Sequence, residues 1–214
     1  MIYLEETFYL NPASPENLDS FIELNTKELI PLYKENGYNL ISAWVRYDTW
    51  YGSVTHITEF FDLKELKEFR IQLGKIPSWG KYLAEAEEKA PERHSRILEP
   101  LGSIPVEVLH KAIKECKKNP GGEFSLAILH ATPETISDFI ASFDQGLKIF
   151  PILASWRSLS GDPNEVIDLW KANLLPVKYE PANEGMKPFF DMLRVHAPKE
   201  RMCRIYPLPY SPLK

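Results

Sequence analysis

Hydrophobic and polar positions in the first half of the chain follow two different periods. Four short stretches are rich in aliphatic and aromatic residues and predict strands at 2–10, 39–47, 53–61 and 93–101. After Ser14-Pro15, apolar residues recur at helical spacing, and Asp62 with Glu65 forms a capping box that begins a second helical pattern. The order β-α-β-β-α-β is the split βαβ arrangement of ferredoxin-like folds.

The second half repeats this order. Strands are predicted at 123–130, 150–159, 165–172 and 201–206, with helices starting at Thr132-Pro133-Glu134 and covering 185–196. Short matches run through both halves: Ser14 to Thr132 (132 − 14 = 118), Trp44 to Trp156 (156 − 44 = 112) and Arg96 to Arg204 (204 − 96 = 108). Two copies of such length indicate duplication and fusion, not a short-period solenoid.

Each predicted sheet carries helices on one face and leaves its other face bare. We therefore expect the two sheets to cover each other and to close a pseudo-dimeric α/β barrel of the α+β class. The expected domains are a first unit at 1–101, a linker helix within 102–121 and a second, diverged unit at 122–214.

Composition narrows the classes of partner. The net charge is −5 and no basic stripe occurs, which argues against nucleic acid. No apolar run reaches the roughly 20 residues that span a bilayer. Cys116 and Cys203 are the only cysteines and are expected to be free thiols in a reducing compartment, which predicts a cytoplasmic protein.

Common catalytic motifs are missing from the sequence. It contains no phosphate-binding loop, no dinucleotide-binding glycine motif and no serine nucleophile elbow. The histidines lack metal-ligand spacing, so we expect neither a metal nor a cofactor.

Several segments together resemble the NIPSNAP family of the dimeric α/β-barrel group. The segment Gly52-Ser53-Val54-Thr55-His56-Ile57-Thr58 is similar to the family's turn followed by Val-x-His-Leu-Trp, and Asn164-Glu165-Val166-Ile167-Asp168-Leu169-Trp170 matches it in the second half. Pro77-Ser78-Trp79 and Ser95-Arg96-Ile97-Leu98-Glu99-Pro100 resemble two later family segments. The chain departs from the family at Leu4-Glu5-Glu6, where Glu-Leu-Arg is usual, and at Asp168, which replaces the histidine. The resemblance implies tandem ferredoxin-like units with unequal halves, and it implies no particular chemistry.

His56 and Asp168 are the candidate catalytic residues. They correspond by the offset 168 − 56 = 112. If both faced one cavity, His56 could act as a general base or haem ligand, with Asp168 as its partner. The alternative is a buried histidine with a structural role, since no partner of His56 is visible in the sequence.

Two pairs of residues are candidates for ligand binding. Trp44 and Trp156 recur at matched positions and either pack in the core or form an aromatic wall. Arg46 and Arg157 follow them and could hold an anion at the barrel mouth.

The sequence leaves two functions open. One is a module that binds a small apolar or aromatic molecule in the barrel or serves in assembly, where a homo-oligomer is conceivable. The other is a cofactor-independent or haem-dependent barrel monooxygenase that acts on an aromatic substrate.

Overall fold

The computed structural model of the chain describes residues 1–46, 50–102, 104–146, 150–174 and 184–214. The strands within these ranges are β1 (Ile2–Tyr9), β2 (Asn39–Arg46), β3 (Ser53–Phe60), β4 (Glu92–Pro100), β5 (Phe124–His130), β6 (Ile152–Ser158), β7 (Glu165–Trp170) and β8 (Lys199–Pro207). The helices are α1 (Pro15–Leu24), α2 (Ile30–Glu35), α3 (Leu63–Leu73), α4 (Pro77–Lys89), α5 (Val106–Cys116), α6 (Ile136–Gly146) and α7 (Lys187–His196). A π-helical turn, Asn25–Leu29, joins α1 to α2, and a 3-10 turn, Glu184–Met186, precedes α7.

The strands form one closed antiparallel barrel in the order β1-β3-β2-β8-β5-β7-β6-β4. Two ferredoxin-like sheets, β4-β1-β3-β2 and β8-β5-β7-β6, meet edge to edge where β2 pairs with β8 and β4 pairs with β6. This closure removes the free sheet edges and confirms the predicted fold.

The two sheets share one pairing register between their central hairpin strands. His56 lies opposite Ala43 in the first sheet, and Asp168 lies opposite Ser155 in the second. Each residue of the second pair follows its counterpart in the first pair by 112 positions. A β-bulge interrupts β2 between Leu40 and Ser42 and β6 between Ile152 and Ala154, again 112 residues apart. His56 and Asp168 therefore occupy the same position of the two sheets.

Elsewhere the structure corrects two predicted offsets. Arg96 lies opposite Glu5, whereas Arg204 lies opposite Ser125 on the other face of its sheet, so these two arginines are not equivalent. The helix after β5 begins at Ile136, whereas the sequence placed its start at Thr132-Pro133-Glu134. Pro15 and Ile136 are the equivalent first residues, with an offset of 136 − 15 = 121.

The barrel interior is a packed core at one end and charged at the other. Helix α5, predicted as a linker, closes the apolar end by inserting Leu109, Ala112, Ile113 and Cys116 among strand residues such as Tyr3 and Phe124. At the opposite end the Arg96 guanidinium binds both Glu5 and Glu165. This arginine links the first sheet to the second across the barrel.

The outer face of each sheet packs against its own helices and forms a separate core. In the first unit, Phe8, Val54 and Phe60 pack against α1, α3 and α4. In the second unit, Leu129 and Val166 pack against α6 and α7, with Phe139 and Leu193 among the contacts. The described residues therefore form three apolar cores, one inside the barrel and one under each helical layer.

Candidate functional site

The two tryptophans lie inside the barrel. Trp44 and Trp156 are each 1% exposed and belong to the core that α5 closes. The ring of Tyr3 packs edge-on against Trp156 with centroids 5.5 Å apart. In this surrounding they act as packing residues, because the space beside them is filled by side chains of the strands and of α5.

Arg46 and Arg157 lie on different faces of the barrel wall and do not share a site. Arg46 lines a cavity of about 220 Å³ at the charged end of the barrel, together with Arg96 and Arg201. Arg157 points outward, and its Nε lies 3.2 Å from Oε1 of Glu99 on the neighbouring strand. The expected arginine pair at the barrel mouth is therefore not formed.

His56 faces the helical layer of the first unit and not the barrel interior. Directly paired residues of antiparallel strands point to the same face, and the partner of Trp44 is Thr55, so His56 points away from Trp44. The His56 ring lies 5.1 Å from the ring of Phe8, and its Nε2 is 2.7 Å from the hydroxyl of Tyr210. Burial lowers the pKa of His56 to about 3, which keeps the imidazole neutral at neutral pH.

Asp168 occupies the equivalent position on the outer face of the second sheet. The hydroxyl of Ser155 donates a hydrogen bond of 2.6 Å to its Oδ1. Its Oδ2 is buried and has no hydrogen-bond partner among the residues that the structure describes. Burial raises the pKa of Asp168 to about 8 and outweighs the lowering effect of the Ser155 hydrogen bond, while the charge of Glu200 raises the pKa further.

His56 and Asp168 therefore lie under different helical layers and do not face a common cavity. The expectation of a shared site across the barrel is not met. The physical reason is the two-residue period of a strand: the tryptophans fill the inner face, so residues one place out of phase point outward.

A pocket of about 300 Å³ opens beside Asp168, between the second sheet and α7. The acidic side chains in its wall are those of Asp168 and Glu200. The rest of the wall is apolar or aromatic and consists of Ala127, Leu129, Phe150, Pro151, Trp170, Leu174, Phe189, Phe190, Leu193 and Met202. We call this cavity the Asp168 pocket. An apolar pocket with one or two convergent polar groups and a titratable residue of shifted pKa is the usual form of a small-molecule site.

Trp170, which also lines the Asp168 pocket, carries a buried indole nitrogen. The indole Nε1 of Trp170 is buried and finds no acceptor within the described part of the chain. Phe150 packs against Trp170 with ring centroids 5.3 Å apart and against Phe189 at 5.1 Å. A planar ligand could thus contact aromatic rings while its polar group reaches Asp168 or Trp170.

Sequence reasoning selected Asp168 but missed the other residues of the pocket. Trp170 was visible as the last residue of the family-like segment, and Phe189 and Phe190 lay on the predicted last helix. Nothing in the order of residues showed that these three lie beside Asp168. Among the described residues, no cluster of histidine, cysteine or acidic side chains could hold a metal ion, and none of their helices is long and apolar enough to cross a membrane.

Comparison with known proteins shows the fold and no closer relationship. No family model and no curated protein matches the chain. A candidate monooxygenase from Lactobacillus acidophilus NCFM is similar in structure over 96% of this chain and 93% of its own, with 12% identity and a TM-score of 0.58. An anthrone oxidase-like protein is similar over 100% of this chain and 94% of its own, with 10% identity and a TM-score of 0.56.

The similar structures also include a NIPSNAP domain protein from Burkholderia xenovorans. It covers 49% of this chain and 99% of its own, with 16% identity and a TM-score of 0.44. The chain has the same fold as the Lactobacillus acidophilus and anthrone oxidase-like structures, and in it one polypeptide supplies both halves of a closed α/β barrel.

Proposed function

We propose that the chain binds a small, mainly aromatic molecule in the Asp168 pocket. The observation that carries this proposal is Oδ2 of Asp168, which has no hydrogen-bond partner among the described residues and is buried in the wall of an apolar cavity of about 300 Å³. Leaving a buried polar atom without a partner costs about 1–3 kcal/mol. A ligand that satisfies Asp168 recovers this energy and also buries its own apolar surface against the aromatic wall.

The place of binding differs from the barrel interior that the sequence suggested. Trp44 and Trp156 support the barrel as packing residues, and His56 supports the first helical layer through Tyr210. We assign ligand contact to Asp168 and Trp170 and structural roles to His56 and Arg157.

Methionine methyl groups offer a direct test of this binding. The chain has four methionines, of which Met202 lines the pocket and Met1 is 45% exposed near β1. In protein labelled with ¹³C at the methionine methyls, titration with naphthalene should shift the Met202 signal and leave the Met1 signal in place. Equal shifts of both signals, or none, would refute the proposal.

A matched pair of variants on β8 separates the pocket from the rest of the surface. Met202→Trp fills the pocket and should abolish the heat of naphthalene binding. Tyr206→Trp adds an indole at a position that is 44% exposed on the same strand and should leave binding unchanged. Retained binding in Met202→Trp would place the ligand elsewhere.

Proton transfer is a second candidate function, favoured by the pKa of about 8 at Asp168. A carboxyl group with such a pKa exists in both protonation states near neutral pH, as a general base requires. Oδ2 of ionised Asp168 would accept a proton from an activated CH₂ group of an aromatic ketone. The resulting carbanion would reduce dissolved dioxygen and form a C–O bond to it, and the peroxide would take the proton back from Asp168. Loss of water from this hydroperoxide would leave a second carbonyl group, so one dioxygen molecule is consumed and one water molecule is released. No histidine lines the Asp168 pocket, so a haem-dependent variant has no support from its described wall.

The test of this second function is oxygen uptake with anthrone, a compound chosen because one similar fold is that of an anthrone oxidase-like protein. Uptake should follow an apparent pKa of about 8 and disappear in Asp168→Asn. Uptake that is the same in this variant would exclude Asp168 as the base.

We further propose membership of the NIPSNAP group, descent by duplication and a cytoplasmic location. The matched segments around His56 and Asp168 support the first two. Cys116 and Cys203 are both buried and are not joined by a disulfide, which supports a reducing environment. A further homo-oligomer is not needed to cover either sheet, since the barrel closes within one chain, and sedimentation velocity would measure whether one forms.

A further inference from the structure

His56 and Asp168, which occupy the same position of the two sheets, are each hydrogen-bonded to a neutral hydroxyl group. His56 meets the phenol of Tyr210 at 2.7 Å, and Asp168 receives the hydroxyl of Ser155 at 2.6 Å. In the first unit, the Tyr210 contact places an aromatic ring beside this position with its hydroxyl group on the buried polar side chain.

Asp168 differs from His56 in keeping one polar atom free for a ligand. Ser155 occupies Oδ1, whereas Oδ2 has no partner within the described residues. The surrounding wall includes the rings of Phe150, Trp170 and Phe189. A ligand for this place therefore needs a flat apolar body and one group that can hydrogen-bond to a carboxyl oxygen.

The electrostatic surroundings select a neutral group. Asp168, with a pKa of about 8, is mostly protonated at pH 7. An anionic ligand would lie beside Glu200, which also lines the pocket and raises the pKa of Asp168. A cationic ligand would need a negative charge beside it. Asp168 would first have to lose its proton, and the charge of Glu200 is already paired with Arg194.

Size indicates more than one ring. An apolar cavity of about 150 Å³ binds benzene, and the Asp168 pocket measures about 300 Å³. A two-ring compound therefore fits the space better than a single ring.

We propose that the ligand of the Asp168 pocket is a neutral bicyclic phenol whose hydroxyl group hydrogen-bonds to Oδ2 of Asp168, an inference that rests on the proposed function.

Three probes of one size test this inference by calorimetry at pH 7: 2-naphthol, naphthalene and the 2-naphthylmethylammonium ion. One added hydrogen bond is worth about 0.5–1.5 kcal/mol, so 2-naphthol should bind about 2- to 13-fold more tightly than naphthalene. The ammonium probe should bind more weakly than 2-naphthol. In Asp168→Ala the ratio of the naphthol and naphthalene affinities should fall to about one. Asp168→Asn should restore most of it, because its amide oxygen can accept from Ser155 while its N–H takes the place of the protonated Oδ2.

His56→Gln is the control, because it changes the equivalent position of the other sheet and should leave this ratio unchanged. Equal affinities of 2-naphthol and naphthalene in the unmodified protein would overturn the phenol inference while leaving the proposed function intact. Tighter binding of the ammonium probe would overturn it in favour of a cationic ligand. Absence of binding by all three probes would overturn both proposals.

Discussion

His56 and Asp168 are equivalent in position, and burial acts on their protonation in opposite directions. The folded state keeps His56 neutral down to about pH 3 and keeps Asp168 protonated up to about pH 8. Each residue therefore stores a pH-dependent part of the folding free energy. The two contributions change in different pH ranges, so they can be measured separately.

Asp168→Asn should change how the free energy of unfolding depends on pH between about 4 and 8. The unfolded carboxyl loses its proton near pH 4 and the folded one near pH 8, so stability present below pH 4 is lost as the pH rises toward 8. The Asn side chain of the variant cannot ionise in either state, so the variant does not show this loss of stability. Urea unfolding between pH 4 and 9 should show the variant gaining stability relative to the unmodified protein as the pH rises. Parallel profiles would contradict the buried, raised pKa.

His56→Gln should change how the free energy of unfolding depends on pH between about 6.5 and 3. The folded imidazole stays neutral while the unfolded one gains a proton near pH 6.5, so stability present above pH 6.5 is lost as the pH falls toward 3. The variant should lose less stability than the unmodified protein over this range in the same unfolding series. A steeper acid loss in the variant would show that His56 is charged in the fold.

Tyr210→Phe tests the structural role of His56 at the same scale. The variant keeps the ring but removes the hydroxyl at 2.7 Å from Nε2, which leaves a buried nitrogen unsatisfied. Stability should fall by about 1–3 kcal/mol. Tyr51→Phe, on a ring that is 39% exposed, should stay within about 0.5 kcal/mol. If the two variants cost the same, the contact between Tyr210 and His56 contributes little.

At the scale of the elements, local signals predicted the helices well. Asp62 caps α3 by accepting a hydrogen bond of 2.8 Å from the backbone of Glu65, as the capping box indicates. Gly37 ends the first helical segment with φ of +74°, which a residue without Cβ adopts readily. The π-helical turn at Asn25–Leu29 was not predicted. The Tyr82 hydroxyl donates a hydrogen bond of 3.0 Å to Oδ1 of Asn25 in this turn, and local sequence patterns do not show such a contact from a distant helix.

The inner and outer faces of the strands could not be read from the sequence. Residues on both faces of β3 are buried, so polar and apolar positions do not alternate. A strand covered on both sides gives no pattern that distinguishes them. For this reason the sequence left open whether His56 faces the barrel interior, and the strand geometry places it on the face opposite to Trp44.

Helix α5 has a larger role than a connection between the units, and this can be measured. Leu109 is 1% exposed in the barrel core, whereas Val108, one residue earlier, is 37% exposed. Leu109→Ala should destabilise the protein by about 2–5 kcal/mol through the cavity it creates. Val108→Ala is the matched control and should cost much less in the same denaturation experiment. Similar costs would mean that α5 does not close the barrel.

The stability of the whole barrel depends on the two strand pairings that join the first sheet to the second. In the intact chain β2 pairs with β8 and β4 pairs with β6, so neither half satisfies its own edges. Each fragment, 1–101 or 122–214, also exposes its inner apolar face and should associate when expressed alone. Size-exclusion chromatography with light scattering checks this. A soluble monomeric half that unfolds cooperatively would contradict the closure described for the intact barrel.

The architecture was predictable because it follows from the order of elements, which short-range patterns reveal. The Asp168 pocket was not predictable, because its wall combines β5, β7, α7 and β8, which are far apart in the chain. Only the position of Asp168 itself was indicated, through its match with His56.

The central claim is that the Asp168 pocket is the ligand site, and a crystal structure with 6-bromo-2-naphthol tests it most directly. The anomalous signal of bromine locates the ligand without reference to its expected position. We predict a bromine peak in the Asp168 pocket, with the naphthol oxygen within hydrogen-bond distance of Oδ2 of Asp168. A peak at the charged barrel end beside Arg46, or anywhere else while the Asp168 pocket stays empty, would contradict this claim.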